Sequence, residues 1–207
     1  MSAVLLGTMR ACRFDVVGQR DEQSGVIPHV GLLRDSTELW SGREVEVLDM
    51  SSRPRLDPPG RFKVAVAGTL ELTRDEQDGI EEWLAELLPR VSICTYVALP
   101  AARRHRDPVS GQISRWEFSC AGLVDSAYQA AGIHLVDQDD LPALERKDAV
   151  VIWAGGRENL FDRLAAGFGL DGAGPWSVLL PGHILHALSL GRAALPYRPS
   201  AVDRLFP

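Results

Sequence analysis

The sequence has few cysteines and no long apolar segment, and both shortages narrow the classes of protein to consider. Its 207 residues include three cysteines, Cys12, Cys94 and Cys120, which are too few and too scattered for a disulfide framework or a four-ligand zinc site. No apolar run approaches membrane-spanning length, and the N-terminus lacks the charged start and long apolar core of a signal peptide. We therefore expect a cytoplasmic protein with no integral membrane segment, although unconventional secretion would leave no mark in the sequence.

Long basic runs are also missing, which argues against a nucleic-acid partner. Lys and Arg number 22 against 28 Asp and Glu, for a formal net charge of −6 at pH 7, whereas nucleic-acid-binding domains usually carry a basic face. The short basic cluster at residues 103–106 is interpreted as a solvated loop, with contact to an anionic substrate as the alternative. A 45% share of hydrophobic residues suits a single globular domain over residues 1–207, in which 137–178 form a possible insertion or lid.

A helix is predicted to begin at Cys120. Apolar residues at 123, 124, 127, 128 and 131 recur at helical spacing, with Ser119 as an N-cap and Gly132 as a stop signal. Cys120 then lies in the first helical turn, where free backbone N–H groups and the helix dipole favour a thiolate over a thiol. The alternative is that Cys120 is a small buried hydrophobic residue, which is the common role of a single cysteine.

Other elements follow from alternation, capping and turn residues. A capping box formed by Thr73 and Glu76 predicts a helix that runs to about Leu88. Three prolines and a glycine predict a loop over 51–60, and a charged segment with Pro and Gly predicts another over 100–114. Strands are predicted over 3–9, 12–17, 26–33, 37–40, 44–48 and 62–72, and further helices over 158–168 and from Pro181.

Two of these segments resemble one family of enzymes. His-Val-Gly-Leu-Leu at 29–33 resembles the strand that carries the catalytic histidine in the NlpC-like branch of the papain-like cysteine hydrolases, and residues 118–128 resemble that family's nucleophile helix. Here the histidine precedes the cysteine, an order similar to the circularly permuted group that includes the lecithin:retinol acyltransferase-like enzymes. The resemblance implies an α+β fold of permuted papain-like type, with a small antiparallel sheet packed against the helix that bears the nucleophile.

The resemblance also implies a set of catalytic residues. Cys120 would be the nucleophile and His29 the base, with a third, polar residue that orients the imidazole. The family usually places that residue on the strand after the histidine hairpin, about a dozen residues on, which gives Ser41 in this chain. Glu38 and Glu44 lie close by, and a shift in the hairpin would bring either one into the position.

Further residues are implied to line the site. In the permuted group an aromatic residue shortly before the cysteine often does so, which points to Trp116 or Phe118, with core packing as the alternative for both. Ser119, next to the nucleophile, is also expected to contact substrate. Tyr96 and Gln112 are additional candidates for stabilising the oxyanion.

The function that the resemblance implies is amide hydrolysis. We expect a cysteine-dependent hydrolase that cleaves a peptide or peptidoglycan-like substrate without a cofactor or metal ion. One alternative is an acyltransferase or thioesterase that acts on a lipid-like acyl group. Another is an inactive binding module that has kept the fold but lost the third residue. Because a shared fold does not fix the reaction, all three remain open from the sequence.

Overall fold

The chain forms a mixed α+β structure in which helices pack against mainly antiparallel sheets. The computed structural model describes residues 7–21, 26–50, 54–170 and 172–199, with 54–61 described as backbone alone. In these ranges, no helix combines the length and apolar character needed to cross a membrane. The helices are α1 Arg74–Leu87, α2 Cys120–Ala130, α3 Arg146–Ala154, α4 Glu158–Ala165 and α5 Pro181–Leu190. The strands are β1 Met9–Ala11, β2 Val16–Gln19, β3 His29–Leu33, β4 Thr37–Leu39, β5 Glu44–Met50, β6 Pro54–Lys63, β7 Val66–Gly68, β8 Cys94–Tyr96, β9 Arg103–Arg106, β10 Ile113–Phe118, β11 Ala143–Leu144 and β12 Trp176–Ser177.

The largest sheet has five strands in the order β6-β5-β3-β2-β7, all antiparallel to their neighbours. Strand β3 is central, and its buried Val30 and Leu32 share an apolar core with Leu123 and Val124 of α2. Burial of these side chains supplies the main driving force for docking the helix on the sheet. The predicted helix is thereby held against the strand that begins at His29.

A second sheet leads directly into α2. Its order is β8-β10-β9, and β10 ends at Phe118, two residues before Cys120. Strand β8 runs parallel to β10 with Tyr96 opposite Phe118. This pairing brings Tyr96 to the end of β10 from which α2 starts.

Helix α1 begins as the sequence predicts. The Thr73 hydroxyl accepts a hydrogen bond from the Glu76 backbone, and the Glu76 carboxylate accepts one from the Thr73 N–H, so the capping box is present. The buried face of α1 includes Trp83, which stacks on Trp116 of β10 with ring centroids 6.3 Å apart. This contact packs α1 against the second sheet.

The segment predicted as a possible insertion or lid, residues 137–178, supplies most of a second apolar cluster. Side chains of α3 and α4, including Val150 and Phe161, pack with Leu144, Leu170 and Val178. Residues from elsewhere in the chain, among them Ala98 just after β8, join this cluster. The segment is therefore packed against the end of β8 that carries Tyr96.

Strands occupy parts of two predicted loops, namely residues 54–60 of the first and residues 103–106 and 113–114 of the second. Residues 54–63 form β6, and residues 103–106 and 113–118 form the antiparallel pair β9 and β10. Prolines are tolerated in β6 because it is an edge strand, where one side of the backbone needs no partner strand. Residues 51–53 of the predicted loop, and residues 3–6 of the first predicted strand, lie outside the described residues.

Candidate functional site

Cys120 lies in the first turn of α2, where backbone donors surround its sulfur. The N-cap is Ser119, as predicted, and its Oγ accepts a hydrogen bond from the Gly122 N–H at 3.1 Å. The backbone N–H groups of Ala121 and Val30 hydrogen-bond to the sulfur itself. Because these donors and the positive end of the helix dipole all favour negative charge, the position stabilises a thiolate.

His29, the first residue of β3, places its imidazole between Asp49 and Cys120. Its Nε2 lies 2.5 Å from Oδ2 of Asp49. Gly31 is opposite Asp49 in the β3–β5 pairing, and His29 comes two residues before Gly31, so alternation puts the His29 and Asp49 side chains on one face of the sheet. Since Nε2 is engaged by the carboxylate, Nδ1 is the nitrogen left for the Cys120 sulfur, which is within hydrogen-bonding reach of the ring.

The surroundings of the pair favour an imidazolium and a thiolate. Burial by itself lowers the pKa of His29, but the negative charge on Cys120 and the hydrogen bond to Asp49 outweigh it and raise that pKa to about 10. Burial by itself raises the pKa of the Cys120 thiol, whereas the charge and hydrogen bond of His29 bring it below its ordinary value. Both shifts favour an ion pair between the His29 imidazolium and the Cys120 thiolate, and the thiolate is the nucleophilic form of cysteine.

The carboxylate that contacts His29 differs from the three residues expected from the sequence. Ser41 lies exposed in the turn before β5, Glu44 is the exposed first residue of β5, and Glu38 is exposed on β4. The Asp49 side chain is 0% exposed. Strand β4 pairs with β1, so the neighbour of β3 is β5 and the facing residue comes later in the chain. The partner of the His29 ring is therefore corrected to Asp49.

Tyr96 brings a hydroxyl group to the sulfur. The hydroxyl is within hydrogen-bonding reach of both Cys120 and the Trp153 side chain. Burial and the negative charge on Cys120 raise the pKa of this phenol far above its ordinary value, so it stays protonated and can donate. The sequence offered Tyr96 beside Gln112, but Gln112 is exposed in the turn between β9 and β10. Tyr96 reaches the sulfur because β8 pairs in parallel with β10. No local sequence pattern predicts that pairing, so the sequence alone does not favour Tyr96 over Gln112.

The residues predicted to contact substrate make structural contacts. Trp116 is buried against Trp83, and the guanidinium of Arg104 lies 4.8 Å from its ring centroid. Phe118 packs beside Trp116 in the same apolar core. The Ser119 hydroxyl is used to cap α2. Substrate contact by Trp116, Phe118 and Ser119 stays a prediction.

The other two cysteines have different environments. Cys12 is exposed, whereas Cys94 is buried and its thiol donates a hydrogen bond to the Arg90 carbonyl at 3.4 Å. Burial raises the pKa of Cys94 to about 11, opposite in direction to the shift at Cys120. These two thiols are internal references for the reactivity of Cys120.

The Cys120 sulfur is enclosed, and the His29 imidazole is its partly exposed neighbour. Cys120 is 1% exposed, while the His29 side chain is 18% exposed. Solvent therefore meets the pair at the imidazole. Low exposure lowers the local dielectric constant, which strengthens the interaction between the two charges.

Comparisons of the chain with protein-family models, with curated proteins and with solved structures find no match in any of the three. Function therefore has to be inferred from the chemistry of this group of side chains.

Proposed function

We propose that this protein is a thiol hydrolase of permuted papain-like type that cleaves an amide bond in a peptide or peptidoglycan-like substrate. The observation that carries the proposal is the series Asp49, His29 and Cys120, with the sulfur at the N-terminus of α2. A nucleophile, a base and a group that orients the base are the parts that this chemistry requires. The order of histidine before cysteine agrees with the permuted group that the sequence resembles.

Each group has a defined task in the reaction. The Cys120 thiolate attacks the amide carbonyl carbon, and the negative oxygen that develops accepts a hydrogen bond from the Tyr96 hydroxyl. The His29 imidazolium gives its Nδ1 proton to the leaving amine as the C–N bond breaks, which leaves a thioester on Cys120. His29, now neutral, removes a proton from water as the water attacks the thioester; the acid leaves and the ion pair re-forms. Asp49 orients the ring and stabilises its positive charge throughout, and no cofactor is required.

The second candidate is acyl transfer or thioester cleavage on a lipid-like acyl group. The observation that favours it is the group of aromatic rings beside the sulfur. Phe168 packs edge-on against Tyr96, with ring centroids 5.5 Å apart, and at a tilt against Trp153, with ring centroids 5.9 Å apart. An apolar acyl chain gains free energy from burial against such rings. The acyl-enzyme step is the same in both candidates, and the acceptor, an amine or water, distinguishes them.

The main argument for the third hypothesis, an inactive binding module, does not apply to this site. That hypothesis depended on the absence of a third residue able to orient His29. The carboxylate of Asp49 accepts a hydrogen bond from the ring and is buried, which is the arrangement that such a residue needs. An active site therefore accounts for this buried carboxylate better than a binding surface does.

The test is to trap and locate an acyl-enzyme. Peptide amides, peptidoglycan stem peptides and acyl thioesters are incubated with the wild type, Cys120→Ser and the control Cys94→Ser. Intact-mass and peptide-level mass spectrometry should find an acyl group on Cys120 in the wild type and in Cys94→Ser, with product formed from at least one substrate class. Turnover that survives in Cys120→Ser would contradict the proposal. Turnover of the thioesters alone, with transfer to added amine, would favour the second candidate.

A further inference from the structure

The aromatic side chain of Trp153 reaches the site from the segment predicted as a possible insertion. Trp153 lies near the end of α3 and is half-buried. Its ring packs on Phe168, which in turn packs on Tyr96. The Phe168 carbonyl accepts a hydrogen bond from the Ala98 N–H at 2.8 Å, so this edge of the segment is fastened to the residues that follow β8.

The hydrogen-bonding capacities of the three groups fix the direction of the Tyr96 proton. A tryptophan indole can only donate, so in its contact with Trp153 the Tyr96 oxygen is the acceptor. A phenol has one proton to give, and that proton is then free to point at the second neighbour, the Cys120 sulfur. The indole contact therefore selects the orientation of Tyr96 in which its O–H faces the reacting sulfur.

We propose that Trp153 is a positioning residue that holds the Tyr96 hydroxyl with its proton directed at Cys120. This inference rests on the proposed function, because Tyr96 acts there as the donor to the thiolate and to the oxyanion. It assigns part of the 137–178 segment to the site itself. A substrate would then be recognised next to a surface formed jointly by β8 and α3.

The experiment removes the indole N–H and keeps an aromatic ring at position 153. Trp153→Phe is compared with Trp176→Phe, a matched control, because Trp176 packs on Phe161 at 6.0 Å in the same segment. The readouts are the pH titration of the Cys120 thiolate by ultraviolet absorbance, measured against Cys120→Ser, and the rate of Cys120 alkylation at mildly acidic pH. Benzothienylalanine introduced at position 153 replaces N–H by sulfur with the same ring shape, and it provides the second variant if Trp153→Phe does not fold.

Loss of one hydrogen bond changes an equilibrium constant by about two- to tenfold. We therefore expect Trp153→Phe to lower the alkylation rate of Cys120 by about that factor. The titration of the thiolate should also move to higher pH. Trp176→Phe should change neither. If Trp153 acts through Tyr96, adding Trp153→Phe to Tyr96→Phe should have no further effect, because coupled residues are not additive.

The inference is overturned if Trp153→Phe behaves like Trp176→Phe, or if its full effect persists in the Tyr96→Phe background. Either result leaves the proposed function intact, provided that the wild-type thiolate depends on His29. Failure of the proposed function has a different signature, namely that the wild type shows no thiolate near neutral pH or that His29→Ala leaves it unchanged.

Discussion

The imidazole of His29 hydrogen-bonds to the carboxylate of Asp49, which lies twenty residues further along the chain and on the neighbouring strand. The carboxylate is buried and the ring is partly exposed. A carboxylate in this position fixes the ring orientation and favours its protonated form. The charge on His29, and through it the thiolate of Cys120, therefore depends on Asp49.

Asp49→Asn should lower the reactivity of Cys120. The amide keeps the shape of the side chain but loses the charge that stabilises the imidazolium. Hydrogen bonds to charged groups contribute about 1.5–3 kcal/mol, so the rate of Cys120 alkylation near neutral pH should fall about tenfold or more. The controls are Ser41→Ala, Glu38→Gln and Glu44→Gln, which should keep the wild-type rate. A wild-type rate in Asp49→Asn, with a large loss in one of the three controls, would show that the third residue is misassigned.

Sequence reasoning singled out Cys120 and His29, which the structure brings together, because both carry local signals. Cys120 follows an N-cap at the start of an apolar helix pattern, and His29 opens an apolar run before a turn. Asp49 carries no such signal, since its role depends on which strand pairs with β3. Counting along a hairpin gave Ser41, but β4 leaves the hairpin to pair with β1, and the register of β5 decides the contact.

Strands β6 and β9 lie in segments predicted as loops, and they too are strands because of the way they pair with their neighbours. The prolines at 54, 58 and 59 predicted a loop, yet they lie in β6, because an edge strand tolerates residues that cannot donate a ladder hydrogen bond. Strand β9 consists of four basic residues with no apolar alternation, and it is a strand because it pairs with β10 across the turn at residues 107–112. Propensity and periodicity describe local preference, whereas strand pairing is set by the whole fold.

The pH dependence of the thiolate follows from the two shifted pKa values. The pKa of Cys120 is lowered, and that of His29 is raised to about 10. Thiolate absorbance should therefore persist below the ordinary thiol pKa of 9.0 and disappear as pH falls through the lowered pKa of Cys120. In His29→Ala burial dominates, so the absorbance should appear only above the ordinary thiol pKa of 9.0. A wild-type thiolate that appears only at alkaline pH, as Cys94 should, would be inconsistent with an ion pair.

Asp125, on α2, should make stability depend on pH. Its carboxylate is buried, accepts hydrogen bonds from Gln129 and Gln138, and has its pKa raised from 3.8 to about 7 by burial. Between these values the folded state holds a proton that the unfolded chain has lost, so the free energy of unfolding falls as pH rises, by at most about 1.4 kcal/mol per pH unit.

Asp125→Asn removes that titration, and its free energy of unfolding should lack this slope. Between pH 4 and pH 7, a window set by the two pKa values, the free energy of unfolding of the variant should become progressively larger than that of the wild type. Urea unfolding at a series of pH values measures it. Parallel curves for the two proteins would mean that Asp125 ionises at its ordinary pKa.

The capping box of α1 gives a prediction on stability alone. Thr73→Ala removes the hydroxyl that accepts from Glu76 and should lower the free energy of unfolding by about 1 kcal/mol. Thr73→Ser keeps the hydroxyl and should stay within a few tenths of the wild type. Neither change should alter Cys120 alkylation, because the cap lies outside the ion pair. Equal losses in both variants would point to the methyl group instead of the cap.

The most direct measurement of the central claim is the alkylation rate of each cysteine, read by mass spectrometry at mildly acidic pH. The variants are the wild type, His29→Ala and the control His134→Ala, whose residue is exposed beyond the end of α2. An ion pair predicts that Cys120 reacts faster than Cys12 and Cys94 despite its burial, that His29→Ala removes this advantage, and that His134→Ala keeps it. If Cys120 reacts no faster than the other two, or is indifferent to His29, then the pair is not a catalytic one.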